Sequence, residues 1–488
     1  MHTRWIIHVT MGALCLVVVR PAGSNDSRES DDPVMPLKAA CVSQDTQQAV
    51  ERALEFLEKD AAKWRKERGC ATCHHGTMTV WALSEARSQG HTVNVETLED
   101  TVRWTKDQFV PRFNKPRDPR PGWNLVSIPA IYLGVMAQSL PILTRDEINQ
   151  IAVHLARHQE EDGAWLMPPA ANGAPPTWES RETLALWALL AWEPSVPADP
   201  QEAAAARVNR EKATKWLSEN KPTETTQSIG LRLLVDLRTG KSAEECEARI
   251  NWLLSRQNSD GGWSQVTDSP SDAYATGQAL WVLSFAGVKQ DRPEIGRAVS
   301  FLVANQREDG SWPMTCRSHP GVDTTRQRNP VPITYFGSAW ATLGLVRSSP
   351  PALDLAARQQ RAFDSIRAFG GTFELDEASP GKPVVSVKVV YEVDDQELMT
   401  LTPLLTAFPD LKTLQFKSAR ITDAGLVSLN SLAQLQSLSL ENAAVTDAGL
   451  VHLKPLTHLE ELNLKGTNVT DVGVQDFQTA MPRVKVVR

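Results

Sequence analysis

Arg249 to Gly287 reads RINWLLSRQNSDGGWSQVTDSPSDAYATGQALWVLSFAG, and this stretch holds one complete helix–turn–helix unit. Apolar Ile250, Leu253 and Leu254, with Trp252 beside them, give the first helix a buried face. It stops at Gln257, before Asn258-Ser259-Asp260-Gly261-Gly262, residues that favour chain reversal and positive φ. Trp263 closes the turn. The second helix, expected near Asp272 to Phe285, carries small residues at Ala273, Ala275, Gly277 and Ala279 that permit close helix approach, and Gly287 ends it. Such an apolar helix is expected to be buried.

The same order of parts returns in IAVHLARHQEEDGAW (Ile151 to Trp165) and RAVSFLVANQREDGSW (Arg297 to Trp312), with Gln159, Gln257 and Gln306 each six residues before Trp165, Trp263 and Trp312. A Gln able to bond the backbone of the turn, a Gly at the reversal and an indole covering it form a clasp. This Q-x₃-G-x-W pattern resembles the QW repeat of squalene-hopene cyclases and related terpenoid cyclases, whose α/α toroid is shared with the protein prenyltransferases. Six helix pairs follow from the pattern. Their first helices lie near Gln47–Lys63, Val95–Gln108, Arg145–Gln159, Glu202–Glu219, Glu244–Gln257 and Arg292–Gln306. Their second helices lie near Thr77–Arg87, Ile128–Gln138, Arg181–Ala191, Gln227–Leu237, Asp272–Phe285 and Tyr335–Val346. The resemblance implies a closed ring, with apolar helices inside and amphipathic ones outside.

A second rhythm begins later. LKTLQFKSARITDAGLVSL starts at Leu411, LQSLSLENAAVTDAGLVHL at Leu435 and LEELNLKGTNVTDVGVQDF at Leu459, a 24-residue spacing held twice. These resemble leucine-rich repeats of the TDAGL type, each L-x-x-L-x-L a short parallel strand, with Asp423, Asp447 and Asp471 expected to cap the helix that follows. A degenerate copy lies near Val385–Leu401, and Val484–Val487 reads as a terminal strand. The fold class is therefore mainly α: a six-hairpin α/α toroid followed by a small α/β leucine-rich-repeat solenoid. All 15 Trp lie at or before Trp340, which supports a boundary after the toroid. The expected division is signal peptide 1–24, linker 25–45, toroid 46–347, linker 348–355 and leucine-rich repeats 356–488.

The N-terminus combines Arg4, an apolar run Trp5–Val19 of about 15 residues and small Ala22 and Gly23. This is the form of a secretory signal, and the run is short of the ~20 residues of a spanning helix. An exported, periplasmic or extracellular protein is expected, with an uncleaved membrane anchor, and hence membrane association, as the alternative. A net charge of −7 from 51 basic and 58 acidic residues gives no reason to expect a nucleic-acid partner.

In such a ring the inner helices begin at one rim. Counting seven residues back from Trp81, Trp187, Trp281 and Trp340 gives His74, Ser180, Tyr274 and Ile333, with His75, Glu179, Arg181, Glu182, Asp272 and Tyr335 within two positions of that level. A polar rim over an apolar bore suits a long apolar ligand of isoprenoid type, with Glu179, Arg181 and Tyr335 as ligand-binding candidates. Squalene-hopene cyclases carry an Asp-x-Asp-Asp motif at this place, whose middle Asp protonates an alkene. Here the frame reads Asp272-Ala273-Tyr274-Ala275. Asp272 and Tyr274 are the catalytic candidates, but a phenol is about six pKa units weaker than a carboxylic acid, a loss of ~8 kcal/mol in proton-transfer driving force. Ordinary squalene cyclisation is not expected, and a terpenoid cyclase of isomerase or lyase type would need a non-standard acid. The Asp-Cys-His zinc set of the prenyltransferases has no counterpart in the inner helices.

Cys70-Ala71-Thr72-Cys73-His74-His75 precedes the first inner helix. Cys-x-x-Cys-His is the attachment pattern of c-type haem, and the same residues suit zinc or a disulfide, so Cys70, Cys73, His74 and His75 form a haem-or-metal candidate with those alternatives open. Cys316-Arg317-Ser318-His319 has ligand-like spacing in a loop. The function classes are an apolar-ligand binder with the cyclase acid missing, a haem- or metal-bearing scaffold or redox protein, and an interaction protein using the leucine-rich repeats for a protein partner.

Overall fold

A computed structural model describes residues 39–488 apart from 72, 115–125, 138–139, 141, 167–179, 193–199, 240, 242, 315–330, 351–354, 391–392, 418–419 and 424. The expected signal peptide, Glu179, Cys316 and His319 lie outside the described residues. Cys41–Arg488 forms one compact unit.

Among the described residues, six outer and six inner helices alternate. The outer set is α1 (Ala39–Arg68), α3 (Val95–Phe113), α5 (Arg145–His158), α7 (Pro200–Glu219), α9 (Ala243–Ser255) and α11 (Pro293–Ala304). The inner set is α2 (Thr79–Ser88), α4 (Ile128–Met136), α6 (Arg181–Trp192), α8 (Thr226–Arg238), α10 (Ala273–Phe285) and α12 (Val331–Ser348). α1 starts earlier than the sequence suggested, so 39–45, read as linker, is helical. A π-helical turn, Cys73–Met78, leads directly into α2. Each inner helix packs on the inner helices before and after it, α4 meeting that π turn, and α12 returns onto α2, which closes the ring. The tightest pair is α10 with α12, because a Cβ on Gly277 would come within 2.2 Å of Trp340 O.

The clasp does more than close its own turn. Gln159 Nε2 donates to Gly163 O (2.8 Å) and to Asn209 O on α7 (2.9 Å). Gln257 Nε2 repeats this with Gly261 O (2.8 Å) and Glu294 O on α11 (2.7 Å). Gln306 Nε2 bonds Gly310 O (3.0 Å) and Ala49 O on α1 (2.8 Å), so the last clasp ties the ring's end to its beginning. Trp165, Trp263 and Trp312 each donate Nε1–H to a carbonyl ten residues back, Leu155, Leu253 and Leu302, at 2.9, 2.8 and 2.7 Å. Gly261 at φ +89° abuts Arg297 O, where a Cβ would sit 2.6 Å away, so this turn admits only glycine at that point.

The C-terminal quarter has its own core, from Ala362 to Val484. After α13 (Leu355–Ala368), strands β1 (Gly371–Leu375), β2 (Val384–Val389), β3 (Thr413–Lys417), β4 (Ser437–Glu441), β5 (Glu461–Asn463) and β6 (Lys485–Val487) form a sheet in sequence order. Among the described strands, β1 alone pairs antiparallel. The expected Asp caps are corrected here. Asp423 accepts from Thr446 N (2.8 Å) and Oγ1 (2.6 Å), and Asp447 from Thr470 N and Oγ1 (both 2.7 Å), so each Asp bonds the next repeat. Thr470, not Asp471, caps the terminal helix α15 (Asp471–Ala480), which follows the short helix α14 (Asp395–Leu405). The motif glycine serves the same ladder, since a Cβ on Gly449 would lie 2.2 Å from Asp423 Oδ1.

Candidate functional site

The axis of the ring is occupied by indoles. Trp81 lies 6.2, 5.4 and 5.3 Å, ring centre to ring centre, from Trp187, Trp281 and Trp340. Trp187 lies 6.4 and 6.0 Å from Trp281 and Trp340, which are themselves 5.6 Å apart. Tyr132 of α4 adds a fifth ring, 5.8 Å from Trp81 and 5.7 Å from Trp187. All four tryptophans are at most 2% exposed. They face inward because Trp281 stands seven residues after Tyr274, and Trp340 four after Phe336, one stripe on each helix. Above this layer Phe336 touches Tyr132 (6.3 Å) and Tyr274 (5.4 Å). Nε1 of Trp187, Trp281 and Trp340 and the amide of buried Gln278 on the same stripe of α10 have no hydrogen-bond partner among the described residues.

The rim candidates divide between support and enclosure. Asp272 is the N-cap of α10: Oδ1 accepts from Ala275 N (2.8 Å) and Oδ2 from Gln265 Nε2 (2.6 Å), and the residue is 7% exposed. Tyr274 is buried against Phe336 and Trp340. Arg181 donates from Nη2 to both oxygens of Asp162 (2.8 and 2.7 Å) and lies over Trp216, which binds it to the outer layer. Glu182, seen in the sequence only as a neighbour of the rim, is the best-held carboxylate. It accepts from Thr223 N (2.7 Å) and Oγ1 (2.5 Å) and pairs with Arg232 Nε (2.5 Å). Burial opposes its charge, but Thr223, Ser228 and Arg232 outweigh burial and hold its pKa below the usual carboxylate range.

Around the first inner helix, His75 is fully buried between Trp64 (4.2 Å, 6° from parallel) and Tyr335 (4.0 Å), and its Nε2–H donates to Asp60 Oδ2 at 2.9 Å. Tyr335 donates to Leu57 O (3.0 Å), meets Thr79 Oγ1 and, by burial, holds its proton far above the usual range. His74 packs edge-on to Trp64 (5.6 Å) and His75 (4.7 Å). Burial, with the neighbouring His75, lowers its pKa to about 3. Cys70 is an exposed free thiol whose carbonyl accepts from Trp64 Nε1 (3.1 Å). The Cys73 side chain lies outside the described residues, among which no group of three His, Cys, Asp or Glu is placed to hold a metal ion. No helix of the described residues is long and apolar enough to cross a membrane.

Residues 202–306 match the family model of the squalene-hopene cyclase N-terminal domain, and residues 456–477 match a leucine-rich-repeat model. The squalene–hopene cyclase of Zymomonas mobilis is 34% identical over 100 residues, which are 20% of this chain and 15% of that protein. That of Bradyrhizobium diazoefficiens is 40% identical over 73 residues, 13% of this chain and 11% of that one. A drimenyl diphosphate synthase of Streptomyces showdoensis is 31% identical over 93 residues, covering 19% and 16%. The chain thus spans well under a fifth of the length of the curated relatives it matches. Among solved structures, type II terpene cyclase MstE from Scytonema, in complex with geranylgeranyl dihydroxybenzoate, aligns with 64% of this chain and 99% of its own at 14% identity and a TM-score of 0.38. The sequence matches thus join a cyclase-like toroid and leucine-rich repeats in one chain.

Proposed function

We propose that the protein is a non-cyclising scaffold: a toroid whose bore is filled by its own tryptophans, carrying a leucine-rich-repeat module that contacts a protein partner. The observation that carries this reading is the cluster of Trp81, Trp187, Trp281 and Trp340, every pair within 6.4 Å at the axis where a polyene would have to lie. The acid position supports it, because Asp272 is engaged as a helix cap and, in the frame that the sequence resemblance implies, Tyr274 takes the place of a cyclase's proton donor. The repeat module offers a polar strand face for contact, a row running Thr413, Ser437, Glu461, Lys485 in register beside Gln415, Ser439 and Asn463.

A second reading rests on the aromatic layer above the indoles. Tyr132, Tyr274 and Phe336 form an apolar floor at the barrel mouth, on which the end of an isoprenoid-type molecule could rest without entering the bore. The haem or metal reading of Cys70, Cys73 and His74 finds less support, since His74 is turned into the stack of Trp64 and His75. Export remains part of the proposal on the form of the N-terminal sequence alone. The test is incubation of the purified full chain with squalene and analysis of extracted products, beside Tyr274→Asp. The unmodified protein should give no cyclised product; efficient cyclisation would overturn the scaffold reading.

A further inference from the structure

At the opposite end of the barrel, where α2, α10 and α12 finish, Gln89, Leu280, Ser284, Val288, Gln290, Ile295, Arg347 and Ser348 line a cavity of about 190 Å³. Arg347 is its charged member. The guanidinium lies 3.7 Å over the Phe285 ring, donates from Nη1 to Glu85 Oε1 (2.6 Å) and from Nε to Ser284 Oγ (2.7 Å), and makes no hydrogen bond through Nη2 among the described residues. Its side chain is 17% exposed and that of Glu85 1%, so Glu85 is sealed beneath while one edge of Arg347 meets the cavity.

The charges here do not cancel. Arg361 of α13 feels both Glu85 and Arg347, and its Nε is buried without a hydrogen-bond partner among the described residues. Burial, with Arg347 adding and Glu85 opposing, brings Arg361 down to about 10, so it stays cationic at neutral pH. Among the described residues, one carboxylate therefore faces two guanidiniums. Three helix C-termini meet at this end and favour positive charge, but the α12 carbonyl of Arg347 is already capped by Gln290 Nε2 (3.2 Å). Gln89 has one amide hydrogen on Glu85 Oε1 (3.0 Å) and a second to give.

We propose that this cavity binds a small oxyanion, a carboxylate or phosphate group, gripped by Nη2 of Arg347 and flanked by Gln89, Gln290 and Ser348. A planar guanidinium held on two sides by Glu85 and Ser284 is pre-set to present its remaining edge, which is the geometry oxyanions need. The apolar residues Leu280, Val288 and Ile295 shape the rest of the cavity for a short carbon chain behind that group. This proposal is independent of the scaffold reading and fails separately from it.

The experiment is thermal unfolding and calorimetric titration of the full chain with inorganic phosphate and with succinate, at ionic strength matched by sodium chloride, with glucose as a neutral control. Phosphate, succinate or both should raise Tm where chloride and glucose do not; phosphate alone assigns a phosphoryl ligand, and succinate alone a carboxylate. Arg347→Lys should weaken binding about tenfold or more by removing the Nη2 donor that the planar guanidinium presents. Because that change also disturbs Glu85, Gln89→Leu and Gln290→Leu provide variants that keep the ion pair, and each should weaken binding about threefold or more. Equal responses to chloride, to glucose and to both anions would overturn the proposal, as would anion binding that these variants leave unchanged.

Discussion

Replacing Trp281 by Ala tests whether the bore is as full as its ring contacts indicate. Trp281 is 2% exposed and touches Trp81 (5.4 Å), Trp187 (6.4 Å), Trp340 (5.6 Å) and Phe285 (4.8 Å). Core Trp→Ala changes cost about 3–5 kcal/mol, and the closed ring leaves little freedom to collapse, so a value of about 4 kcal/mol is expected. Trp281→Phe should be much milder, about 1 kcal/mol, because the lost area is partly offset by removing an N–H that has no partner among the described residues. Trp263→Phe removes a similar area together with the bond to Leu253 O at 2.8 Å, and should cost about 1 kcal/mol more than Trp281→Phe. Chemical denaturation followed by tryptophan fluorescence suits the comparison, since 14 of the 15 Trp, from Trp64 to Trp340, lie in the toroid's span and dominate the signal. A cost below about 1 kcal/mol for Trp281→Ala, or Trp281→Phe costing more than Trp263→Phe, would refute the reasoning.

Two further outcomes concern closure and acid. Gln306→Ala removes the bonds to Ala49 O (2.8 Å) and Gly310 O (3.0 Å) and strands Arg52, which donates to Gln306 Oε1 at 2.6 Å; it should lower toroid stability by about 2–4 kcal/mol and speed hydrogen exchange in α1, and unchanged exchange there would count against a ring-closing role. His74 and His154 are lowered by burial to about 3 and His91 to about 4, from 6.5. Folded pKa values below the unfolded value mean that the unfolded chain takes up protons first, so stability is full above pH 6.5 and is lost as pH falls toward 4, at about 1.4 kcal/mol per pH unit for each His. Denaturation at pH 7, 6 and 5 should show this slope and His154→Gln should reduce it, whereas a flat profile would contradict the assignment.

The periodic parts of the fold were legible because repetition multiplies a weak local signal. Gln159, Gln257 and Gln306 gave the hairpins, and the 24-residue spacing gave the parallel strands. What the sequence did not reveal was where each side chain spends its bonds. Gln306 reaches Ala49, which is distant in the chain and adjacent only once the ring closes. Asp423 and Asp447 looked like helix caps because a side-chain acceptor before a helix usually is one, but a stacked repeat brings the next Thr nearer than the local backbone. At the rim, counting back from the tryptophans put Asp272, Tyr274 and Arg181 at one level, yet level fixes height and not direction, and Arg181 turns outward to Asp162. The sequence pointed to an apolar bore open to a ligand, but the indoles that fill it and the Glu85–Arg347 pair were not foreseen, because both depend on which face of each helix meets the axis.

The most direct test of the central claim is a crystal structure of the protein grown with squalene in excess. The account predicts that Trp81, Trp187, Trp281 and Trp340 remain in mutual contact at the axis with no hydrocarbon between them. Continuous ligand density running down the bore, with the four indoles separated around it, would contradict it.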